Sequence, residues 1–505
     1  MIEMTIARIA EIVGGELADI TPEAAAATRV TGTVEFDSRA VGPGSLFLAL
    51  PGARSDGHDF ASAAVAAGAV AVLAARPVGV PAIVVRPEPG AADAASGALE
   101  HDTDGSGAAV LAALARLAAA VAAELVAGGL TIIGVTGSSG KTSTKDLLAA
   151  VLAPLGQVIA PPGSFNNELG HPWTVLRADA DTDYLILEMS ARHPGNIAAL
   201  AAIAPPSIAV VLNVGTAHLG EFGSREIIAK TKAELPQAVP SSGVVVLNAD
   251  DTAVAAMAEL TAARVVRVSR EPGADVWAGS VTLDALARPR FTLHAGDDEV
   301  EVALAVHGDH QVSNALCAAA VALECGASLR QVADALAAAG PVSRHRMQVS
   351  TRADGVTVIN DAYNANPDSM RAGLKALAWM ASDKAEERGG AKRRSWAVLG
   401  EMAELGDDAI TEHDAIGRFA VRLDVSRLIV VGSGRAMNAM HHGAVMEGSW
   451  GAESVMVADA DAALAVLRAE LQAGDVVLVK ASNSVGLGAL AEALVAEPAD
   501  QGGSR

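Results

Sequence analysis

The chain has 505 residues, enough for about three domains at roughly 150 residues each. Apolar residues make up 51% and charged residues 19%, the balance of a globular chain and not of a disordered one. Aromatic residues at 3% and a formal net charge of −22 exclude a nucleic-acid binder that stacks bases or tracks phosphates. They leave open a small nucleotide held by local dipoles and metal ions.

Near the N-terminus, Glu3, Arg8 and Glu11 interrupt the apolar residues, so no signal-peptide core is expected. Phe36, Leu46-Phe47-Leu48 and Ile83-Val84-Val85 read as strand pieces around a helix at 59–67. Residues 88–107, rich in Ala, Gly and Asp, read as a loop or linker. The most apolar run, Ala108 to Ala123, is shorter than about 18 residues and carries Arg116, so no membrane span is expected.

Short apolar runs then alternate with helical patterns: 130–135, 184–187, 208–212, 244–247, 356–359, 428–431 and 476–479. Such runs suit buried strands of mainly parallel sheets. One helical pattern runs from about Ser313 to Ala339 and closes at Gly340-Pro341. It holds both cysteines, Cys317 and Cys325, whose separation spans about 12 Å of helix, too far for a disulfide. Two buried thiols and a reducing, cytoplasmic setting are expected. Residues 382–394 read as an exposed insertion and 498–505 as a disordered tail. The expected architecture is α/β in three domains, at 1–107, 108–341 and 342–497. Nothing in the pattern demands an oligomer, and a monomer is expected.

The strongest local signal is Thr131-Ile-Ile-Gly-Val-Thr-Gly-Ser-Ser-Gly-Lys-Thr-Ser143, a strand entering a small-residue loop that opens a helix. Backbone N–H groups at such a helix start cradle phosphate oxygens. Lys141 would neutralise the terminal phosphates of a nucleotide and Thr142 would ligate Mg²⁺. Thr136, Gly137, Ser138, Ser139 and Gly140 complete the loop. Val135 stands where the strict pattern has Gly, so the motif is a variant. Glu188 ends an apolar strand and could ligate Mg²⁺ directly, because strand ends of doubly wound sheets lie beside the nucleotide. Asn213-Val-Gly-Thr-Ala-His218 follows the next strand, and a helix then carries Lys230 and Lys232.

Read in order, these pieces resemble the Mur ligase and folylpolyglutamate synthase superfamily. The resemblance runs from about Ile9 to Leu494 and implies a mixed α/β UDP-binding N-terminal domain, a central P-loop ATPase domain and a Rossmann-like C-terminal domain. It implies that Lys232, or failing that Lys230, is carbamylated by CO₂. The catalytic set would then be Lys141, Glu188, His218 and Lys232. Thr142, Glu188, His218 and carbamylated Lys232 would hold two Mg²⁺ ions.

Four segments resemble the branch of the family that joins D-alanyl-D-alanine to UDP-N-acetylmuramoyl-tripeptide. In Phe36-Asp-Ser-Arg39 and the residues up to Phe60, Ser38 and Arg39 would meet the uridine diphosphate. In Gly163-Ser-Phe-Asn-Asn-Glu-Leu-Gly-His-Pro172, Asn166 and Asn167 would meet the peptide, although the usual Asn run is shortened by Ser164 and Phe165. Asn360-Asp-Ala-Tyr-Asn-Ala-Asn-Pro-Asp368 places Asp361 and Tyr363 on a short loop before a helix capped by Asn366, with Pro367 in its first turn. Val398-Leu-Gly-Glu-Met-Ala-Glu-Leu-Gly406 with His413 reads as a strand and a loop facing the interdomain cleft. More weakly, His310 and Asn314 resemble the residues on the adenine side of ATP, and Arg346 resembles a hinge arginine that reaches phosphate. Asn196 stands where many relatives have Glu, and Ala481-Ser482-Asn483 where relatives often include an Arg.

The activity implied is an ATP-dependent peptide ligase that proceeds through an acyl phosphate. Two alternatives remain: a sister ligase adding the third amino acid of the peptide, or a P-loop hydrolase or kinase. The second would explain only the central part of the chain.

Overall fold

The structure, a computed structural model, describes residues 1–53, 55–87, 99, 101–215, 219–382, 393–448 and 453–496. Among the described residues a two-stranded ribbon, Met4–Thr5 with Arg29–Val30, accompanies three larger sheets. The first has five strands in the order Glu16–Ala18, Ala82–Val84, Ala71–Ala74, Leu46–Leu48, Val34–Glu35, parallel except for the first pair. The second has nine strands and spans 131–303. Its six strands from Val158–Ile159 to Arg264–Ser269 run parallel, and a meander from Val276–Leu283 through Asp298–Ala303 closes one edge in antiparallel fashion. The third has six strands spanning 348–480, parallel except for Gln348–Thr351 at its edge.

The apolar runs expected to be buried strands are strands, and apart from partly buried residues at their starts, such as Tyr184 and Val244, they are buried on both faces. Ile132, Ile133 and Val135 are buried, as are Val476, Val477 and Leu478. Strand order does the positioning. The strand Thr131–Thr136 lies between Tyr184–Glu188 and Ile208–Val211, with Val135 paired to Glu188 and Thr136 paired to Val211. Three adjacent carboxyl ends therefore open onto one place, the usual ligand crevice of such sheets. In the third sheet Asn360 pairs with Val479, so Asp361 and Lys480 leave the sheet side by side.

Two expectations change. The apolar run at 108–123 belongs to a 22-residue helix, Ser106–Ala127, long and apolar enough by length and composition to cross a membrane. Here it packs against the helices Ile6–Val13, Gly170–Val175 and Asn196–Ile203 and against the first sheet. Arg116 donates two hydrogen bonds to Val13 O, at 3.1 and 2.8 Å. Large aliphatic side chains such as Leu114 and Leu117 are fully buried, each worth about 1.5–3 kcal/mol. The second change is in the helical pattern from 313 to 339, which is two helices, Gln311–Glu324 and Leu329–Ala338. Gly326, at φ 92°, ends the first, with Gly326 N donating to Leu323 O and Ala327 N to Ala322 O. Ser328 starts the second through a capping box with Gln331. Cys317 is buried and Cys325 half-buried at the break, and both are free thiols. Most of the 88–107 segment, residues 383–392 and the tail from 497 lie outside the described residues.

Candidate active site

The phosphate loop joins the strand Thr131–Thr136 to the helix Lys141–Leu152. Gly140, at the helix N-cap, has φ 84°, and a Cβ there would lie 2.7 Å from Asn314 Oδ1, so only glycine fits. No side chain caps the helix, which leaves its first-turn N–H groups on the cleft wall for an anion. Lys141 Nζ donates to Gly137 O at 2.7 Å. Burial pulls the Lys141 pKa down to about 8, opposed by Glu188 and aided by Arg346. Asn213, at the neighbouring strand end, clamps the loop from the side. Its Oδ1 accepts from Ser139 N at 3.0 Å and its Nδ2 donates to Ser139 O at 3.1 Å.

Four polar side chains meet at the foot of this loop. Thr142 Oγ1 donates to Glu188 Oε2 at 3.2 Å and lies 2.9 Å from Ser164 Oγ. Ser164 Oγ donates to the same carboxylate oxygen at 3.4 Å. Arg346 Nη2 donates to both hydroxyls at 3.3 Å, and its guanidinium lies 4.2 Å above the ring of Tyr363. Glu188 is fully buried, and its Oε1 has no hydrogen-bond partner among the described residues. Burial raises its pKa, opposed by Lys145, Lys141 and Arg346. An orphaned carboxylate oxygen beside two hydroxyls is a set of hard oxygen donors that fits Mg²⁺. Among the described residues no three His, Cys, Asp or Glu side chains form a metal cluster, and His218 lies outside them.

Lys232 is buried on the helix Arg225–Ala238, whereas Lys230 is exposed. Burial first, and Lys141 second, hold the Lys232 amine well below the ordinary lysine value. The third sheet supplies the opposite wall of the cleft. Asp361 Oδ2 pairs with Lys480 Nζ at 2.6 Å and its Oδ1 accepts from Met347 N at 3.0 Å. Asn366 Oδ1 caps the helix Pro367–Ala381 by accepting from Ser369 N at 2.9 Å, and its Nδ2 donates to Ser138 O at 3.4 Å, on the phosphate loop. Arg192 Nη2 reaches across to Glu404 Oε1 at 3.0 Å. Between the two walls lies a cleft of about 1300 Å³.

The chain carries three family signatures in order. They are the Mur ligase family catalytic domain at residues 32–120, the Mur ligase middle domain at 135–322, and the Mur ligase glutamate ligase domain at 345–483. It is 77% identical to the UDP-N-acetylmuramoyl-tripeptide–D-alanyl-D-alanine ligase of Mycobacterium tuberculosis over 98% of each chain. The chain belongs to the Mur ligase family. Among solved Mur ligases, MurF from Acinetobacter baumannii matches with a TM-score of 0.80 at 28% identity, over 98% of this chain and 99% of that one. MurF from Thermotoga maritima in complex with ADP matches with a TM-score of 0.71 at 27% identity, over 92% and 99%.

Within this Mur ligase the cleft gathers Ser138, Ser139, Gly140, Lys141, Thr142, Asn166, Asn167, His310, Asn314, Arg346, Asp361 and Tyr363. Glu188 touches Thr142 beneath it. Thr136 is fully buried and spends its hydroxyl on Met189 O at 2.9 Å. Both asparagine oxygens are already engaged: Asn166 Oδ1 accepts from Ser190 Oγ, just after the strand Tyr184–Glu188, at 2.9 Å, and Asn167 Oδ1 accepts from Gly170 N of its own loop at 2.9 Å. Ser38 and Arg39 do not line the cleft, and Arg39 is exposed and forked onto Asp37, at 2.7 Å. Their segment is nonetheless tied to the site. Phe36 packs on Phe165 and Trp173, with ring centroids 6.4 and 5.7 Å away, and Phe165 adjoins Ser164.

His413 is buried and holds the 402–404 loop, its Nε2 accepting from Met402 N at 2.9 Å and its Nδ1 donating to Ala409 O at 2.6 Å. Asn213 lines the cleft but is not among the site residues expected from the sequence. An Asn at a strand end facing a phosphate loop was the available signal for it.

Proposed function

We propose that the protein is an ATP-dependent peptide ligase that adds D-alanyl-D-alanine to UDP-N-acetylmuramoyl-tripeptide, giving the UDP-pentapeptide, ADP and phosphate. The observation that supports this most directly is the full-length identity of 77% to a ligase of that name, in a chain whose phosphate loop, Glu188 and Lys232 are all in place.

The tripeptide carboxylate is a poor acyl donor at neutral pH. One of its oxygens attacks the γ-phosphorus of ATP, the bond to the β-phosphate oxygen breaks, and an acyl phosphate and ADP result. The amine of D-alanyl-D-alanine then attacks the acyl carbon, loses a proton, and expels phosphate. In the first step two anions approach each other. The Lys141 ammonium and the uncapped helix N-terminus lower that repulsion. Thr142 and Glu188, with His218 and carbamylated Lys232, would hold two Mg²⁺ ions, which when bound supply further positive charge between the anions.

The depressed pKa of Lys232 favours the neutral amine that a carbamate requires. Arg346, stacked on Tyr363, carries a guanidinium from the third domain to the hydroxyls of Thr142 and Ser164. Closure of that domain would exclude water from the acyl phosphate. His310 and Asn314 are assigned to the nucleotide, Asn166, Asn167, Asp361 and Tyr363 to the peptidyl substrate, and Ser38 and Arg39 to its uridine diphosphate. The reading is of a cytoplasmic monomer with domains at 1–107, 108–341 and 342–497.

The test is phosphate release and product mass with ATP, Mg²⁺, UDP-N-acetylmuramoyl-tripeptide and D-alanyl-D-alanine, omitting one component at a time. Release that needs both substrates and yields the UDP-pentapeptide is expected. Release indifferent to the dipeptide, with no pentapeptide, rejects the assignment.

A further inference from the structure

One buried cation near the site has no part in the reaction as described. Lys145 is 2% exposed and lies one turn below Lys141 and Thr142 on the same helix face. Its Nζ pairs with Asp146 Oδ1 at 2.6 Å. It also donates to Pro161 O at 2.8 Å and to Ser343 Oγ at 3.3 Å. Asp146 completes the grip on Ser343, its Oδ2 accepting from Ser343 N at 3.1 Å.

These two outside contacts share a spacing. Pro161 precedes Ser164 by three residues, and Ser343 precedes Arg346 by three. Ser164 and Arg346 are, with the strand-end Glu188, the side chains that come from elsewhere in the chain to meet Thr142 Oγ1. Ser343 also lies between the last helix of the central domain, Leu329–Ala338, and the first strand of the third sheet, Gln348–Thr351. The segment joining the two domains is thus fastened to the phosphate-loop helix itself.

We propose that Lys145, with Asp146, is a positioning residue that sets Ser164 and Arg346 against Thr142 and so couples the interdomain hinge to the phosphate site. A short segment fixed at one end and used three residues later transmits an error of position almost undiminished. Misplacement of a reacting or charge-stabilising group by about 1 Å can cost about 100-fold in rate. The role rests on the ligase reading for its catalytic readout, but its structural readout does not.

The test uses the full chain and Lys145→Met, Ser343→Ala, Arg346→Met and the double variant Lys145→Met/Arg346→Met. Hydrogen exchange should show faster exchange of the Ser343 amide and of the 343–347 segment in Lys145→Met, with the strand Val476–Lys480 unchanged. In the ligase assay kcat should fall by about 10- to 100-fold while KM for D-alanyl-D-alanine holds within about threefold. Adding Lys145→Met to Arg346→Met should cost several-fold less than Lys145→Met costs in the wild type, because one of the two groups it positions is already gone. Multiplicative losses, or unchanged exchange at 343–347, overturn the inference. If Lys145→Met does not fold, Ser343→Ala decides. It removes one hydroxyl and no charge, and it should lower kcat several-fold with the same exchange signature. Wild-type protein that makes no pentapeptide rejects the ligase reading. Wild-type activity with multiplicative losses rejects only the role of Lys145.

Discussion

Replacing Asp361 by Asn separates charge from shape at the loop that follows the strand Thr357–Asn360. In the wild type the carboxylate accepts from Met347 N through one oxygen and pairs with Lys480 Nζ through the other, at 2.6 Å. Lys480 is 2% exposed, and its remaining partners are the carbonyl oxygens of Asn364, at 2.9 Å, and Asp361, at 3.4 Å. Asp361→Asn leaves that ammonium buried without a counter-charge, which costs about 3–5 kcal/mol. In a domain of roughly 150 residues each kcal/mol is worth about 2–4 °C, so its melting transition should drop by about 6–20 °C.

The pH dependence fixes the cause. Burial lowers the Lys480 pKa and Asp361 opposes that, so without the carboxylate the pKa falls further. Between a low folded value and the ordinary unfolded one the unfolded chain binds more protons, and stability rises with pH. The deficit relative to wild type should therefore narrow between about pH 7 and about pH 9.5, an interval that approaches the ordinary lysine value. Scanning calorimetry of both proteins at the two pH values measures it. A deficit below about 1 kcal/mol, the range of an exposed pair, or one that does not change with pH, would refute the reasoning.

Nucleotide binding should respond to pH through Lys141. Its pKa of about 8 means that ADP affinity, measured by titration calorimetry, should weaken by up to about tenfold per pH unit above that value, and a flat profile would remove the ammonium from the phosphates. Asn213→Ala deletes two hydrogen bonds to the phosphate loop and should weaken ADP binding by roughly 30-fold, at about 1 kcal/mol per bond. An effect under about threefold would show a loop that is rigid without its clamp. The raised pKa of Glu188 means that Mg²⁺ affinity should climb as pH rises through its folded value, and that Glu188→Gln should flatten this dependence. Carbamylation of Lys232 predicts a mass increment in gentle native mass spectrometry, lost on acidification and absent from Lys232→Met.

What could be read from the sequence was local. The phosphate loop announced itself through Gly140 and Lys141-Thr142 at the junction of an apolar strand and a helix, and Asn366-Pro367 marked a helix start through capping chemistry alone. The seven apolar runs at 130–135 through 476–479 are strands because runs buried on both faces look the same wherever they sit. Less legible was whatever depends on a distant partner. The edge meander 276–303 alternates buried and exposed residues, a weaker pattern than a continuous apolar run, and went unread. Nothing near Asp361 reveals that Lys480, 119 residues later, will occupy its carboxylate. The side-chain amides of Asn166 and Asn167 looked free for a peptide, yet the first accepts from Ser190 beyond the next strand and the second from Gly170 in its own loop. The split at Gly326 was visible as a glycine, but the apolar residues on both sides hid it.

The helix Ser106–Ala127 has a consequence for how the protein is made and degraded. It shares one continuous apolar core with residues from Met4 to Ala263, so the first two sheets are joined through a common interior. The third sheet packs mainly around cores of its own. During synthesis one face of the first sheet should pack on a core of its own as its strands emerge, but the face under this helix should be completed only with the central strands still to come. The N-terminal part must wait, partly exposed, for about half the chain, whereas the C-terminal part can fold as soon as Lys480 and the helix Leu487–Ala496 appear. Heating should accordingly produce two unfolding units and not three, and a protease acting on a partly opened molecule should leave a large N-terminal fragment that includes both of the first two sheets.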